Sequence, residues 1–300
     1  MRIGIDIGGT KLESAAIDAQ GNVRVRRRVA TPKGDYAGTI DAIFDLVSSI
    51  EKEIGGAHSL GFGIPGTISP ATGLVKNAYN SPFNGRPLDR DLASRFDRPV
   101  RLMNDANCFA LSEAKDGAGE GCRIVFGAIL GTGCGSGITV DGELLTGANA
   151  ISGEWGHNPL PWPKKDELPG LECDCGKLGC IETYLSGTGL ERQHAALINN
   201  RITAEEIVSL ADAGNAQAEC SLALFEDRLA RALATVINVI DPDAIVLGGG
   251  LSNVTRLYEN VPKIWSQWVF SDGVDTQLLP PKFGDSSGVR GAAWLWPEGE

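Results

Sequence analysis

Ile3-Gly4-Ile5-Asp6-Ile7, followed at once by Gly8-Gly9-Thr10-Lys11, is the stretch whose reading decides the fold. The apolar run predicts a buried strand, and the glycines turn the chain into a second strand over Leu12 to Asp18, closed at Gln20-Gly21-Asn22. The same grammar returns further on. Ile124 to Leu130 reads as an apolar strand, Gly131-Thr132-Gly133-Cys134-Gly135-Ser136-Gly137 as its turn, Ile138 to Val140 as the returning strand and Asp141-Gly142 as its close. A strand, a glycine turn and a strand, written twice, is a weak internal duplication. Glycine turns let the backbone approach an anion where a Cβ would clash and aim several N–H groups at it. Two of them can hold the phosphates of one nucleotide. Asp6, beside the first turn, is placed to bind a phosphate-linked Mg²⁺ through water, and Lys11 to offset phosphate charge.

The 300 residues, 42% hydrophobic and 22% charged, suit a globular protein of two lobes with separate cores. A formal charge of −11 argues against nucleic acid or an anionic membrane as a partner and favours a small ligand. Met1 to Lys11 contains no apolar stretch of signal-peptide or membrane-span length, so the expected address is the cytoplasm. Helical spacing over Tyr36 to Glu53 and strand character over Ser59 to Ile64 mix α and β in the first half. Beyond Glu182 the pattern turns helical over Ala204 to Leu210 and Gln217 to Val239, followed by a strand, Ala244 to Leu247, and Gly248-Gly249-Gly250. A last amphipathic segment, Val289 to Trp296, follows the cap sequence Asp285-Ser286-Ser287-Gly288.

Asn104-Asp105-Ala106-Asn107 lies where strand Val100 to Met103 enters a helix, which puts Asp105 in the first turn. Phosphoryl transfer asks for positioning, charge neutralisation and one group to accept the hydroxyl proton, and Asp105 is the candidate base. Of seven cysteines, Cys108, Cys122, Cys134 and Cys220 stand alone and read mostly as buried thiols. Cys173, Cys175 and Cys180 crowd into eight residues, which favours metal binding over a disulfide. With His157 they form a closed tetrahedral Zn²⁺ set, structural in kind, that would lock the loop carrying Glu154, His157 and Glu182.

Asp6-Ile7-Gly8-Gly9-Thr10-Lys11, Gly131-Thr132-Gly133 and Gly248-Gly249-Gly250 resemble the two phosphate segments and the adenosine segment of the actin-like ATPase superfamily. Within it the chain resembles a ROK-family sugar kinase over essentially its whole length. The Cys173 to Cys180 spacing resembles the ROK zinc motif closely. The resemblance implies an α/β, duplicated, ribonuclease H-like fold, with two lobes around a nucleotide cleft and a structural zinc loop. It implies a smaller N-terminal lobe of residues 1–116 plus 288–300 and a larger lobe of 117–287. ATP phosphates would lie at Asp6, Gly8, Gly9, Thr10, Lys11, Gly131, Thr132 and Gly133, and adenine near Gly249 and Gly250. Sugar would bind through Gly66, Asn104, Glu154, His157 and Glu182. The interval from His157 to Cys173, with Pro159, Pro161, Pro163 and Pro169, is longer than the family pattern and is expected to shape substrate choice or a subunit contact.

Pro65-Gly66, Lys76-Asn77-Ala78, Phe83-Asn84-Gly85 and Trp155 to Trp162 are most similar to the fructokinase and mannokinase branch, which makes fructose the expected hexose. Glucokinase or N-acetylglucosamine kinase is the rival reading. The resemblance also suggests a homodimer. A sugar-responsive DNA-binding regulator is disfavoured, since the chain begins at the phosphate strand itself and its charge repels DNA. A zinc-stabilised sugar-binding scaffold would have no need of a base at Asp105.

Overall fold

The computed structural model describes residues 1–79, 81–284 and 287–297. The chain divides into two compact units, Met1–Gly121 with Gly137–Ser152 and Asp285–Glu300, and Cys122–Ser136 with Gly153–Gly284. Among the described residues no helix is long and apolar enough to cross a membrane.

The first unit is built on the sheet β3-β2-β1-β4-β7, where β1 is Arg2–Ile7, β2 Lys11–Ile17, β3 Val23–Ala30, β4 Ser59–Ile64 and β7 Val100–Asn104. β1 runs antiparallel to β2 and parallel to β4, and β4 runs parallel to β7. Side chains alternate across a strand. Ile3, Ile5 and Ile7 of β1, with Leu60, Phe62 and Ile64 of β4, join one apolar cluster with Ile43, Val47 and Ile50 of α1 (Tyr36–Ile54). Gly4 and Asp6 alternate with those isoleucines and pair in register with Gly61 and Gly63. Here the helices α3 (Asp105–Lys115) and α9 (Ser287–Trp294) pack without intervening side chains. A Cβ on Gly4 would fall 2.0 Å from the Val289 carbonyl oxygen, one on Gly61 1.8 Å from that of Ala292, and one on Gly291 1.6 Å from that of Cys108. The buried Glu113 of α3 accepts from the Ser287 hydroxyl at 2.6 Å and ties the two helices together.

The smaller elements of this unit are β5 (Thr67–Ile68), β6 (Val75–Lys76) and α2 (Leu88–Phe96). A second sheet has the order β10-β9-β8-β11-β12, with β8 Ile124–Leu130, β9 Cys134–Val140, β10 Glu143–Leu144, β11 Ala244–Gly248 and β12 Gln277–Leu279. The second unit adds α4 (Glu182–Leu185), α5 (Gly187–Ile198), α6 (Ala204–Asp212), α7 (Ala216–Ile240) and α8 (Arg256–Trp265). Asn215 caps α7 by accepting from Ala218 N, and Asp241 ends it in the left-handed region at φ 46°.

Three expectations change. The second glycine turn ends at Gly133, because Gly135-Ser136-Gly137 already belongs to β9. A Cβ on Gly137 would lie 2.7 Å from both the Ala106 carbonyl oxygen and the Asn107 Cα, so this glycine serves close packing rather than turning. Of the four single cysteines only Cys108 and Cys134 are buried, while Cys122, in the irregular stretch before β8, is half-buried and Cys220, on α7, is exposed. In the C-terminal cap sequence, Asp285 and Ser286 lie outside the described residues, and the helix begins at Ser287.

We predict that Gly61→Val destabilises the protein by about 1–3 kcal/mol or more, since the added methyls meet backbone and force α9 off the sheet. Urea unfolding checks this, and an unchanged midpoint would refute the packing argument.

Candidate active site

At the first glycine turn, Gly8 N donates to the Lys11 carbonyl at 3.0 Å and the Thr31 hydroxyl donates to the Gly8 carbonyl at 2.7 Å. Gly9, Thr10 and Lys11 are exposed. A Cβ built on Gly9 would meet nothing within 4 Å, which leaves the approach to its backbone open. Gly8 and Gly9 border a cavity of about 540 Å³ that Thr31, Lys33, Tyr79 and Asn84 also line. Thr31, Lys33 and Tyr79 do not stand out in the sequence, and Asn84 does so only through the Phe83-Asn84-Gly85 segment, not through this turn.

Asp6 closes β1 beside this turn. Its carboxyl is pushed up to about 7, first by burial and then by the negative charges of Asp105 and Glu13, against the pull of Lys11 and Arg28. Asp105 itself is exposed in the first turn of α3, and its side chain accepts from Ala106 N at 2.8 Å. Asn104 is the helix cap. Its Oδ1 accepts from Ala106 N at 3.0 Å and Asn107 N at 3.3 Å, and its Nδ2 donates to the Gly66 carbonyl at 3.2 Å. The strand-to-helix junction thus fixes Asn104 and presents Asp105 to solvent. Asp6 and Asp105, two carboxylates that repel each other beside an open glycine turn, fit a divalent cation, for which Asp6 is the donor with the raised pKa.

Three of the segments that suggested a particular sugar, at Gly66, Lys76 to Ala78 and Asn84, are interlocked with one another. A Cβ on Gly66 would lie 2.2 Å from the Lys76 carbonyl oxygen and 2.7 Å from Ala78 N, and Gly66 has φ 71°. Asn84 both accepts from Ala78 N at 2.8 Å and donates to the Ala78 carbonyl at 3.0 Å. Their residue types are accounted for by one another, which is why they are poor guides to the ligand.

In the second unit, Gly131 N donates to the Gly133 carbonyl at 3.0 Å, and Gly187 N donates to the Gly131 carbonyl at 2.7 Å. Gly249, at φ 76°, lies so near Leu130 that a Cβ would sit 2.6 Å from its carbonyl. Gly131, Thr132 and Gly250 therefore line one cavity of about 480 Å³, with Ala204, Val208 and Leu251 as apolar wall and Glu191 and Glu205 as polar groups. A flat base with a phosphate tail matches that division. The α5 and α6 residues in this wall went unread in sequence, although Gly187-Thr188-Gly189 was a signal of close backbone approach, and the Thr188 hydroxyl donates to the Thr132 carbonyl at 2.9 Å.

Glu182 Oε2 accepts from Cys134 N at 2.9 Å, directly under the second glycine turn, and its Oε1 lies 3.8 Å from Cys173 Sγ. The expected metal ligands do converge. His157 Nδ1 is 3.5 Å from Cys173 Sγ, Cys175 Sγ is 3.6 Å from Cys180 Sγ, and the four donor atoms lie within 4.8 Å of one another. A tetrahedron with Zn–S bonds of about 2.3 Å has edges of about 3.8 Å, so this set fits zinc. Burial pushes the Cys173 thiol up to about 12, against the pull of the Cys175 backbone N–H and aided by the side chains of Cys175 and Cys180. With Nδ1 turned to the cluster, the His157 ring keeps Nε2 as a second polar atom. Glu154 precedes the short turn Trp155–His157, and its carbonyl accepts from His157 N at 3.3 Å.

The proline-rich interval before Cys173 is anchored from beneath. Glu167, buried, accepts from Arg228 and Arg231, each at 2.7 Å, and these bonds hold its carboxyl down at about 2 despite burial. Arg231 also donates to the carbonyls of Pro161 and Trp162, both at 2.9 Å. The Glu167 carbonyl in turn accepts from the Tyr184 hydroxyl at 2.8 Å, so the interval props α4, whose first residue is Glu182.

The chain belongs to the ROK family, which it matches over residues 2–299. It is 38% identical over 299 residues to an N-acetyl-D-glucosamine kinase of Salmonella paratyphi C, covering 98% of this chain and 99% of that one. Among solved structures it is similar to a ROK hexokinase of Thermus thermophilus, with a TM-score of 0.86, 30% identity and coverage of 97% and 96% of the two chains. It is also similar to a ROK family glucokinase of Streptomyces griseus in complex with glucose and AMPPNP, with a TM-score of 0.80, 30% identity and 98% of each chain covered.

Two outcomes are expected. Affinity for Mg·ADP, followed by calorimetry, falls as the pH is lowered through about 7, because Asp6 then takes up a proton and loses its hold on the cation. Asp105→Asn removes a repelling charge and moves that midpoint to lower pH; a midpoint that stays put or rises speaks against the coupling. Elemental analysis finds one zinc per chain, and Cys173→Ser loses it together with thermal stability. A zinc-free protein of undiminished stability would sink the metal assignment.

Proposed function

We propose that the chain is an ATP-dependent sugar kinase whose substrate is an N-acetylated hexosamine, N-acetyl-D-glucosamine, with Asp105 as general base. The observation that carries the reading is the carboxylate of Asp105, exposed at the first turn of α3 in electrostatic contact with Asp6 beside an open glycine turn. A structural helix charge has no need of that neighbour. The substrate follows from the 38% identical relative, named for N-acetyl-D-glucosamine. Fructose, expected from Pro65-Gly66, Lys76-Asn77-Ala78, Phe83-Asn84-Gly85 and Trp155 to Trp162, gives way to the sugar named for that relative, and the first three of those segments pack on or bond to one another.

In this reading, amides and Thr132 of the second turn, with Gly8, Gly9, Thr10 and Lys11 of the first, hold the ATP phosphates, and Gly249 and Gly250 hold the adenosine. Mg²⁺, when bound at Asp6, neutralises phosphate charge. Asn104, Gly66, Glu154, His157 and Glu182 are the proposed sugar contacts. Asp105 accepts the proton of the attacking hydroxyl, and a carboxylate at an exposed helix start can do so without prior desolvation. Zinc at His157, Cys173, Cys175 and Cys180 has no open position and serves to fix the loop.

ADP release from Mg·ATP, with N-acetylglucosamine, glucose, mannose and fructose compared, tests the proposal. N-acetylglucosamine is expected to give the highest kcat/KM, and Asp105→Asn to lower kcat by about 10²- to 10⁴-fold with little change in KM for ATP. Preference for fructose would restore the fructokinase reading. If no sugar stimulates ADP release by zinc-replete protein, the kinase reading falls.

A further inference from the structure

The second glycine turn is gripped from two sides by the segments that carry the metal ligands. On one side, Glu182 Oε2 accepts from Cys134 N at 2.9 Å, and a Cβ on Gly133 would fall 2.7 Å from that same oxygen, so the carboxylate lies against the turn itself. The start of α5 continues the grip: Gly187 N donates to the Gly131 carbonyl at 2.7 Å, and the Thr188 hydroxyl donates to that of Thr132 at 2.9 Å. On the other side, the Ser136 hydroxyl donates to the Gly153 carbonyl at 2.6 Å and Trp155 Nε1 to the Gly135 carbonyl at 3.3 Å. A Cβ on Gly156 would meet the Cys134 carbonyl oxygen at 2.0 Å.

The two arms of this grip meet at the cysteine cluster. Gly156 directly precedes His157, and Glu182 lies two positions after Cys180. Ile181 N donates to the Asn158 carbonyl at 2.8 Å, and Cys180 Sγ lies 3.5 Å from the His157 carbonyl oxygen. Thr183 N and the Thr183 hydroxyl both bond the Cys180 carbonyl, at 2.9 and 2.8 Å. The contacts therefore form a closed ring, with the four metal ligands on one side and Gly131 to Cys134 on the other. Glu182 alone spans it with a side chain, one oxygen on Cys134 N and the other 3.8 Å from Cys173 Sγ. Backbone amides hold an anion only while they keep their aim, and a carboxylate bonded to one amide of the turn fixes the aim of its neighbours.

We propose that Glu182 is a positioning residue for the nucleotide: it couples metal binding at the cysteine cluster to phosphate binding at the second glycine turn, so that each ligand raises the affinity for the other. The inference rests on the reading of Gly131, Thr132 and Gly133 as a phosphate turn. Its sign follows from ordering. Segments pinned at the cluster hold the grip in place, so a nucleotide meets amides already arranged and loses less of its binding energy to ordering them. Linkage makes the effect equal in the two directions.

The test is made without sugar, so that the proposed sugar contact of Glu182 does not enter. Calorimetry gives the Mg·ADP affinity of zinc-replete and zinc-stripped protein, and competition with a chelator at buffered free Zn²⁺ gives the zinc affinity with and without saturating Mg·ADP. Both comparisons are expected to return one factor, about tenfold. Glu182→Ala weakens Mg·ADP binding to the zinc-replete protein about tenfold and brings the factor close to one, whereas Glu182→Gln, whose amide oxygen still accepts from Cys134 N, keeps Mg·ADP affinity within about twofold. A role confined to holding the fold would lower both affinities in Glu182→Ala and leave the factor intact. A factor of one in the unaltered protein, or a factor undiminished in Glu182→Ala, overturns the inference and leaves the kinase reading standing. Absence of Mg·ADP binding to zinc-replete protein removes the nucleotide reading and the inference with it. Should zinc-stripped protein unfold, Glu182→Ala against Glu182→Gln in zinc-replete protein decides, and equal Mg·ADP affinities overturn the inference. Should Glu182→Ala fail to fold, Glu182→Asp, one methylene shorter, takes its place with the same expectations.

Discussion

Backbone-to-backbone packing at glycine is the constraint on which the first unit depends. Gly4 and Gly61, paired in register, leave a strip of sheet with no side chains, and α9 lies on it with its carbonyls less than a Cβ away. Gly291 brings α3 onto α9 in the same manner. Protein interiors are close-packed, so the position of α3 is fixed by residues that contribute no chemistry. Asp105, at the first turn of that helix, inherits this placement, and Asp6 is set beside it by the same register that pairs it with Gly63.

Bringing Asp6 and Asp105 together is electrostatically unfavourable. The result is a carboxyl titrating near neutrality, which a cation relieves. This arrangement costs the empty protein stability, a cost that a bound cation would reverse. The same chemistry holds in the second unit, where three thiols and an imidazole crowd together: as thiolates they would repel one another, so they stay protonated unless a divalent cation takes the place of the protons.

In the second unit Glu182 is the joint. One oxygen supports the turn at Gly133 and Cys134, the other approaches the cysteine cluster, and the helix it begins is propped by Tyr184 against Glu167. The buried ion group of Glu167, Arg228 and Arg231 is weak evidence for stability, since desolvation offsets most of its attraction, but removing one partner would leave charge stranded. It makes the proline-rich interval a buttress of the metal loop. No local pattern could show this, because Glu167 and Arg231 are 64 positions apart.

The sequence by itself determined the strands about Asp6 and Leu130, the glycine turns, the cysteine cluster and the junction at Asn104 and Asp105, because each follows from neighbours along the chain: apolar runs, φ freedom, ligand spacing and helix capping. It was silent on β3, whose Arg26 and Arg28 pair with Glu13 across the sheet. It misjudged Gly135 to Gly137 as turn, and took the segments at Gly66, Lys76 and Asn84 as marks of a particular sugar when Gly66 packs against the Lys76 carbonyl and Asn84 bonds Ala78. Only the tertiary structure decided those, together with the lining of the cavity at Gly131 and Gly250 by α5 and α6. The physical reason is the same in each case: a glycine, a carboxylate or an arginine takes its role from the atom that approaches it through space, and that atom is supplied by a segment its own sequence neighbourhood does not specify.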